Sequence, residues 1–97
     1  MFKVQWARQT KKDYENIKRA KLEPEIADIL KTVRQNPFDP AHHFEELKNN
    51  MRGMYSRRID YRHRFVYKVL PNTENILDNN GNPYEGIVRI TNTWGHY

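Results

Sequence analysis

The chain contains no cysteine. No disulfide can staple it, no thiolate can serve as nucleophile or soft metal ligand, and a reducing, cytoplasmic setting is expected. Long hydrophobic runs are missing as well. No stretch approaches the ~20 apolar residues of a membrane span. The opening MFKVQWARQT lacks the apolar run of about 7–15 residues that marks a secretory leader. No membrane partner is therefore expected. The sequence has no G-x-x-x-x-G-K-[ST] or G-x-G-x-x-G, which excludes the nucleotide-phosphate loops built on those motifs. It has no G-x-S-x-G either, so nothing marks an activated serine.

What is present is compact and basic. A length of 97 residues bounds the chain to a single domain, 1–97, with one core. The apolar fraction is only 37% against 30% charged, but 2 Trp, 6 Tyr and 4 Phe argue against disorder. Lys plus Arg number 17 against 12 Asp plus Glu, a net charge of +5 that favours polyanionic partners such as nucleic acid or an acidic protein segment. Simple solubility is the plainer reading of the same charge.

Periodicity orders the elements. Phe2, Val4 and Trp6 alternate with Lys3 and Gln5, which predicts a half-buried strand. A first helix is expected from about Ala7 to Ala20. LEPEIADILKTVRQNP predicts a second. Pro24 fits its first turn, Glu23 and Glu25 suit its positive end, and Ile26, Ile29, Leu30 and Val33 form a core-facing stripe. Asn36-Pro37 stops it. NPFDPAHHFEE reads as a polar connector. Met54–Ile59 and the alternating run around Phe65, Tyr67 and Val69 read as an antiparallel pair turning near Asp60–Arg62. Pro71–Gly86, rich in Asn, Gly and Pro, reads as a long hairpin excursion, and Ile87–Thr93 as the last strand. Strands gathered after helices imply an α+β fold, with two N-terminal helices on one face of a small, mainly antiparallel twisted sheet.

Two constellations could carry chemistry. In HHFEE, His42 and Glu45, and His43 and Glu46, stand three apart. A third ligand with metal-binding spacing is missing, so neither metal nor cofactor is expected. The basic stretch RGMYSRRIDYRHR is more informative: Arg52, Arg57, Arg58, Arg62 and Arg64 are interleaved with Tyr55 and Tyr61. Arginine forks grip phosphate and aromatic faces stack bases. Arg57 and Arg58 are accordingly candidate RNA- or phosphate-binding residues, with a solvated face as the alternative. RNA cleavage without metal needs a base for the ribose 2′-OH, cations for the phosphorane and an acid for the leaving 5′-oxygen. A glutamate, the arginine-rich strands and a histidine can supply that set.

The pieces together resemble a known family. EELKNN, then G-x-x-SRRI-x-x-x-HR-x-VY, then a terminal His-Tyr, with an early Trp6 strand, Asp13-Tyr14 on a helix and Asn36–Phe38 behind the second helix, are similar to the YoeB (Txe-type) toxins of the RelE superfamily. The resemblance covers most of the chain. It implies a RelE-like fold and the toxin of a type II toxin–antitoxin pair. Such a toxin is a metal-independent endoribonuclease that enters the A site of the 70S ribosome, cuts mRNA there and blocks translation. It implies a YefM/Axe-like antitoxin partner, contact with operator DNA only through the antitoxin complex, and a possible homodimer. The family's base falls on Glu45, its transition-state arginine on Arg64, its acid on His96 and its final tyrosine on Tyr97. Lys48, Arg58 and His63 occupy motif positions, as phosphate contacts or support for the site. Glu46 is the alternative base one residue away; ungapped spacing from Leu47 and Lys48 through to Ser56 favours Glu45. The hairpin of residues 71–86 is longer than is usual in the family. A non-catalytic RNA- or ribosome-binding inhibitor is the rival reading, and it leaves the terminal His-Tyr without a task.

Overall fold

The computed structural model describes residues 1–95. The chain order is strand β1 (Lys3–Trp6), a 3₁₀ segment (Arg8–Asp13), helix α1 (Tyr14–Arg19), helix α2 (Glu23–Gln35), a two-residue strand β2 (Glu45–Glu46), a 3₁₀ turn (Asn49–Met51), and strands β3 (Met54–Arg58), β4 (Arg64–Leu70) and β5 (Ile87–Asn92). Among the described residues these strands form one five-stranded sheet in the order β1-β5-β4-β3-β2. β1 runs parallel to β5, and every other pair is antiparallel. This is the expected α+β arrangement. No helix among the described residues is long and apolar enough to cross a membrane.

The core lies between the helices and one face of the sheet. Ile17 of α1 and Ile26, Ile29 and Val33 of α2 meet Phe65, Tyr67, Val88 and Ile90, all buried. The predicted stripe on α2 therefore faces the sheet, with Leu30 packed at its margin.

The first helix differs from expectation. Instead of one helix from Ala7 to Ala20, a 3₁₀ segment precedes a short α1. Ala7 keeps extended dihedrals and donates its N–H to Ile90 O of β5. The buried Thr10 hydroxyl then bonds to Ala7 O, competing for an acceptor a regular helix would use. Lys21, at φ 58, closes α1 in a left-handed conformation and allows the short link to α2.

The long hairpin of residues 71–86 is a built structure. Asn72 Nδ2 donates to Ile76 O and Tyr84 O, while its Oδ1 accepts the Ile76 N–H. A bridge joins Leu77 to Pro83. Asp78 Oδ1 accepts the amides of Asn80 and Asn82 at the tip.

Candidate active site on the open face of the sheet

Register decides which residues share a face, because directly paired residues in an antiparallel ladder point the same way. Arg57 pairs with Phe65 and Tyr55 with Tyr67, which puts both on the helix side. Arg58 pairs with Arg64, and Ser56 with Val66, on the opposite face, which the helices leave uncovered. The short β2 extends the set: Glu45 pairs with Ser56, and Glu46 with Tyr55. Glu45 thus shares the open face with Ser56, Arg58 and Arg64, and Glu46 belongs to the other. Lys68, Arg89 and Lys3 continue the same face by their registers, making it basic along its length.

β2 departs from the polar connector that the sequence predicts over this stretch. Its path depends on residues at positive φ, His42 (60), His43 (54) and Asn49 (59). These bends mean that the two His–Glu pairs do not share a helical face. Asparagine and histidine are among the residues that enter this region most readily, and HH and NN flanking the two glutamates were the available signal. The connector is tied down on several sides. His42 O accepts the Arg58 N–H at 2.7 Å, and His42 Nε2 lies 2.9 Å from Asp28 Oδ2 on α2. Behind β2, a concavity of about 490 Å³ is lined by Glu45, Glu46, Leu47, Lys48 and the 3₁₀ turn. Lys48 is exposed there, in extended backbone just before that turn.

Arg57 is corrected by the structure. Expected as a phosphate contact, it is 0% exposed on the helix side. Its Nε donates to Tyr67 Oη (3.0 Å), Nη1 to Ala41 O (2.7 Å) and Nη2 to Pro37 O (2.9 Å). Its guanidinium also stands 4.8 Å from the Phe44 ring centroid. Strand alternation sends the neighbouring arginines to opposite faces, so Arg58 alone of the two is exposed. Burial pushes the Tyr67 hydroxyl up to about 12, against the charge and hydrogen bond of Arg57, so it stays a neutral donor to Pro37 O.

His63 is likewise buried, at 8% exposure, and does not present itself to a phosphate. Its ring stacks on Trp94, with centroids 3.9 Å apart and planes 18° apart, and its Nδ1 accepts the Gly95 N–H at 2.8 Å. The structure makes it a support of Trp94 and Gly95. Arg64 is half-buried. Its Nη1 donates to Asp60 O and His63 O, and its backbone N–H donates to Gly95 O at 3.2 Å. The last described residue of the chain is therefore bound beside Arg64. Gly95 has φ 85, a bend that glycine takes without strain. His96 and Tyr97 lie outside the described residues.

Asp60 organises the turn that delivers His63 and Arg64. Its Oδ1 accepts the amides of Arg62 (2.9 Å) and His63 (2.7 Å). Burial alone would raise its carboxyl, but those two amides and the neighbouring Arg62 charge hold it below the ordinary carboxylate value. A depressed native value means that the stabilisation is full above the ordinary carboxylate range and is lost as pH falls through the native value. Asp60→Ala should cost about 1–2 kcal/mol near neutrality, because two amides lose their acceptor. Asp60→Asn, which keeps an oxygen, should cost less and flatten the acid limb of a urea-midpoint-against-pH profile. An acid limb of unchanged steepness in Asp60→Asn would contradict this assignment.

Residues 6–87 match the family of YoeB-like toxins of bacterial type II toxin–antitoxin systems. Toxin YoeB of Escherichia coli K12 is 37% identical over 71 residues, covering 69% of this chain and 82% of that protein. Among solved structures, a YoeB/ParE toxin from Agrobacterium tumefaciens superposes with a TM-score of 0.77 at 31% identity, covering 99% of this chain and 100% of that one. A YoeB–YefM complex from Staphylococcus aureus aligns with a TM-score of 0.69 at 27% identity, over 100% of this chain and 99% of that one. A YoeB dimer from the same organism aligns with a TM-score of 0.70 at 27% identity, over 99% and 98%.

Proposed function

This chain belongs to the YoeB-like toxins of bacterial type II toxin–antitoxin systems, and from that premise we propose that it is a ribosome-dependent mRNA endoribonuclease. The observation that carries the reading is the shared face of Glu45, Arg58 and Arg64, with Gly95 bound to the Arg64 backbone. Glu45 takes the proton of the ribose 2′-OH. The freed oxygen attacks the adjacent phosphorus, and the bond to the 5′-oxygen breaks. His96 delivers a proton to that oxygen. The products are a 2′,3′-cyclic phosphate and a 5′-hydroxyl, and no metal enters the balance. Arg64 neutralises the phosphorane, Arg58 and Lys48 hold flanking phosphates, and Tyr97 positions a base.

The carbonyl oxygens of Asp60 and His63 restrict the Arg64 guanidinium, so less conformational freedom is lost when it meets phosphate. A glutamate on an open face is a weak base in water, and productive geometry must come from mRNA held in the ribosomal A site. Cleavage of free RNA is accordingly weak. The antitoxin is a YefM-like protein, as in the Staphylococcus aureus complex. An acidic, partly disordered segment suits the basic face. Operator DNA is reached through that complex, and a homodimer is consistent with the Staphylococcus aureus dimer.

Mapping mRNA 5′ ends after brief expression tests the reading. New ends inside codons of translated messages are expected, and they should disappear in His96→Ala and on deletion of Tyr97 while antitoxin binding persists. Stalled translation over intact message would favour the non-catalytic inhibitor.

A further inference from the structure

We propose that His63 is the positioning residue for the C-terminal segment, holding Gly95 through a neutral Nδ1 acceptor and Trp94 through a ring stack. The importance of this clamp for cleavage rests on the ribonuclease reading above; the clamp itself does not.

The argument starts from what fixes His63. Its backbone closes the β3–β4 connection: the His63 carbonyl accepts from Ile59 N–H (3.0 Å) and Asp60 N–H (3.4 Å), and its own N–H is held by Asp60 Oδ1. The imidazole is thus anchored at its root, and it is directed at the segment that follows β5. There it meets two consecutive residues, the indole of Trp94 and the amide of Gly95. Arg64, the next residue, takes the other side of Gly95 through its N–H···O bond. Both backbone polar groups of Gly95 are therefore held by the His63–Arg64 dipeptide, and the residue that follows Gly95 is His96.

The contact also has a direction. A backbone N–H can only donate, so Nδ1 must be the bare nitrogen and the ring proton must sit on Nε2. The segment upstream is fixed independently: Trp94 N–H donates to Asn92 Oδ1 at the end of β5. Without the His63 clamp, Gly95 at φ 85 keeps the Arg64 N–H···O bond but loses the hold on its own N–H and on the Trp94 ring. A displacement of about 1 Å in a reacting group can cost on the order of 10²-fold in rate. His63 would then set the rate of cleavage without touching RNA.

Two substitutions separate the ring from its acceptor. His63→Phe keeps a stacking face for Trp94 and removes the acceptor. His63→Asn retains an oxygen near the Nδ1 position and removes the stack. Amide hydrogen exchange of Gly95 reads the clamp, and ribosome-dependent cleavage of mRNA reads its consequence. In His63→Phe, Gly95 exchange should accelerate about tenfold or more, and kcat should fall by about 10²-fold with KM little changed. His63→Asn should recover part of both. Nitrogen-15 shifts of the wild-type imidazole should show a protonated Nε2 and a bare Nδ1, a measurement that needs no variant.

A protonated Nδ1 in the wild-type ring, or unchanged Gly95 exchange in His63→Phe, overturns the proposal. So does unaltered kcat alongside accelerated exchange. If the wild type cleaves no mRNA while the exchange and tautomer results hold, the ribonuclease reading fails and the clamp stands.

Discussion

Arg57→Ala lowers the stability of the fold by about 3–5 kcal/mol, although Arg57 belongs to the stretch that looks most like an RNA-binding surface. The guanidinium is fully buried and satisfies Tyr67 Oη, Ala41 O and Pro37 O at once. Its removal leaves polar oxygens without that donor, at about 1–3 kcal/mol for each one left unsatisfied, and opens a cavity under Phe44. The Tyr67 hydroxyl still donates to Pro37 O, so the losses do not simply add. For a domain of this size each kcal/mol moves the melting temperature by about 4–8 °C, so a drop of roughly 12 °C or more is expected. Arg57→Lys should rescue little, since one ammonium on a flexible stem cannot reach three acceptors spread around a planar fork. Arg58→Ala, one residue on and exposed, should leave the melting temperature almost unchanged. Thermal and urea unfolding of the three variants decide the matter. Equal, small losses at positions 57 and 58 would remove the structural role assigned to Arg57.

That contrast shows where the sequence was readable. α2 was legible because its signals are local: Pro24 in the first turn, a stripe at Ile26, Ile29 and Val33, and Asn36-Pro37 behind it. The strands around Phe65 and Ile90 were legible for the same reason. Alternation also says that Arg57 and Arg58 point to opposite faces. It cannot say which face the helices cover, because that depends on β4 pairing with β5 and β1 closing alongside in parallel, contacts made across most of the chain. The break in the first helix has no local signal, because Ala7 is held by Ile90, 83 positions further along. β2 has none either, because two residues carry no periodicity; its register on β3 makes it a strand. At the proposed site, Glu45 and Arg64 were expected from the family resemblance, and register puts them on one face; the support role of His63 depends on Trp94 and Gly95, which no local pattern connects to it.

Glu45→Gln should reduce ribosome-dependent cleavage by about 10²–10⁴-fold, the range expected when a general base is lost, while Glu46→Gln remains close to wild type. The two glutamates are adjacent, both exposed and both at the lip of the same concavity, so composition and accessibility do not separate them. Register does. Glu45 is opposite Ser56, in line with the Arg58–Arg64 pair, whereas Glu46 is opposite Tyr55 on the helix side. A carboxylate on the wrong face of a strand cannot reach a 2′-OH whose phosphate sits on Arg64. Glutamine preserves size and hydrogen bonding but cannot accept the proton at neutral pH, so binding to ribosomes and antitoxin should persist. Arg64→Lys should cost about 10²–10³-fold, since a lysine keeps the charge but loses both the fork and its tether to the carbonyls of Asp60 and His63. The losses in Glu45→Gln and Arg64→Lys should appear in kcat, and the double variant should lose less than the product of the two, because both groups serve one transition state. Purified proteins on programmed ribosomes, compared at matched occupancy, give the required constants. A large loss in Glu46→Gln with near-normal Glu45→Gln would mean that β2 slips by one residue when mRNA binds, moving every side chain on it to the other face.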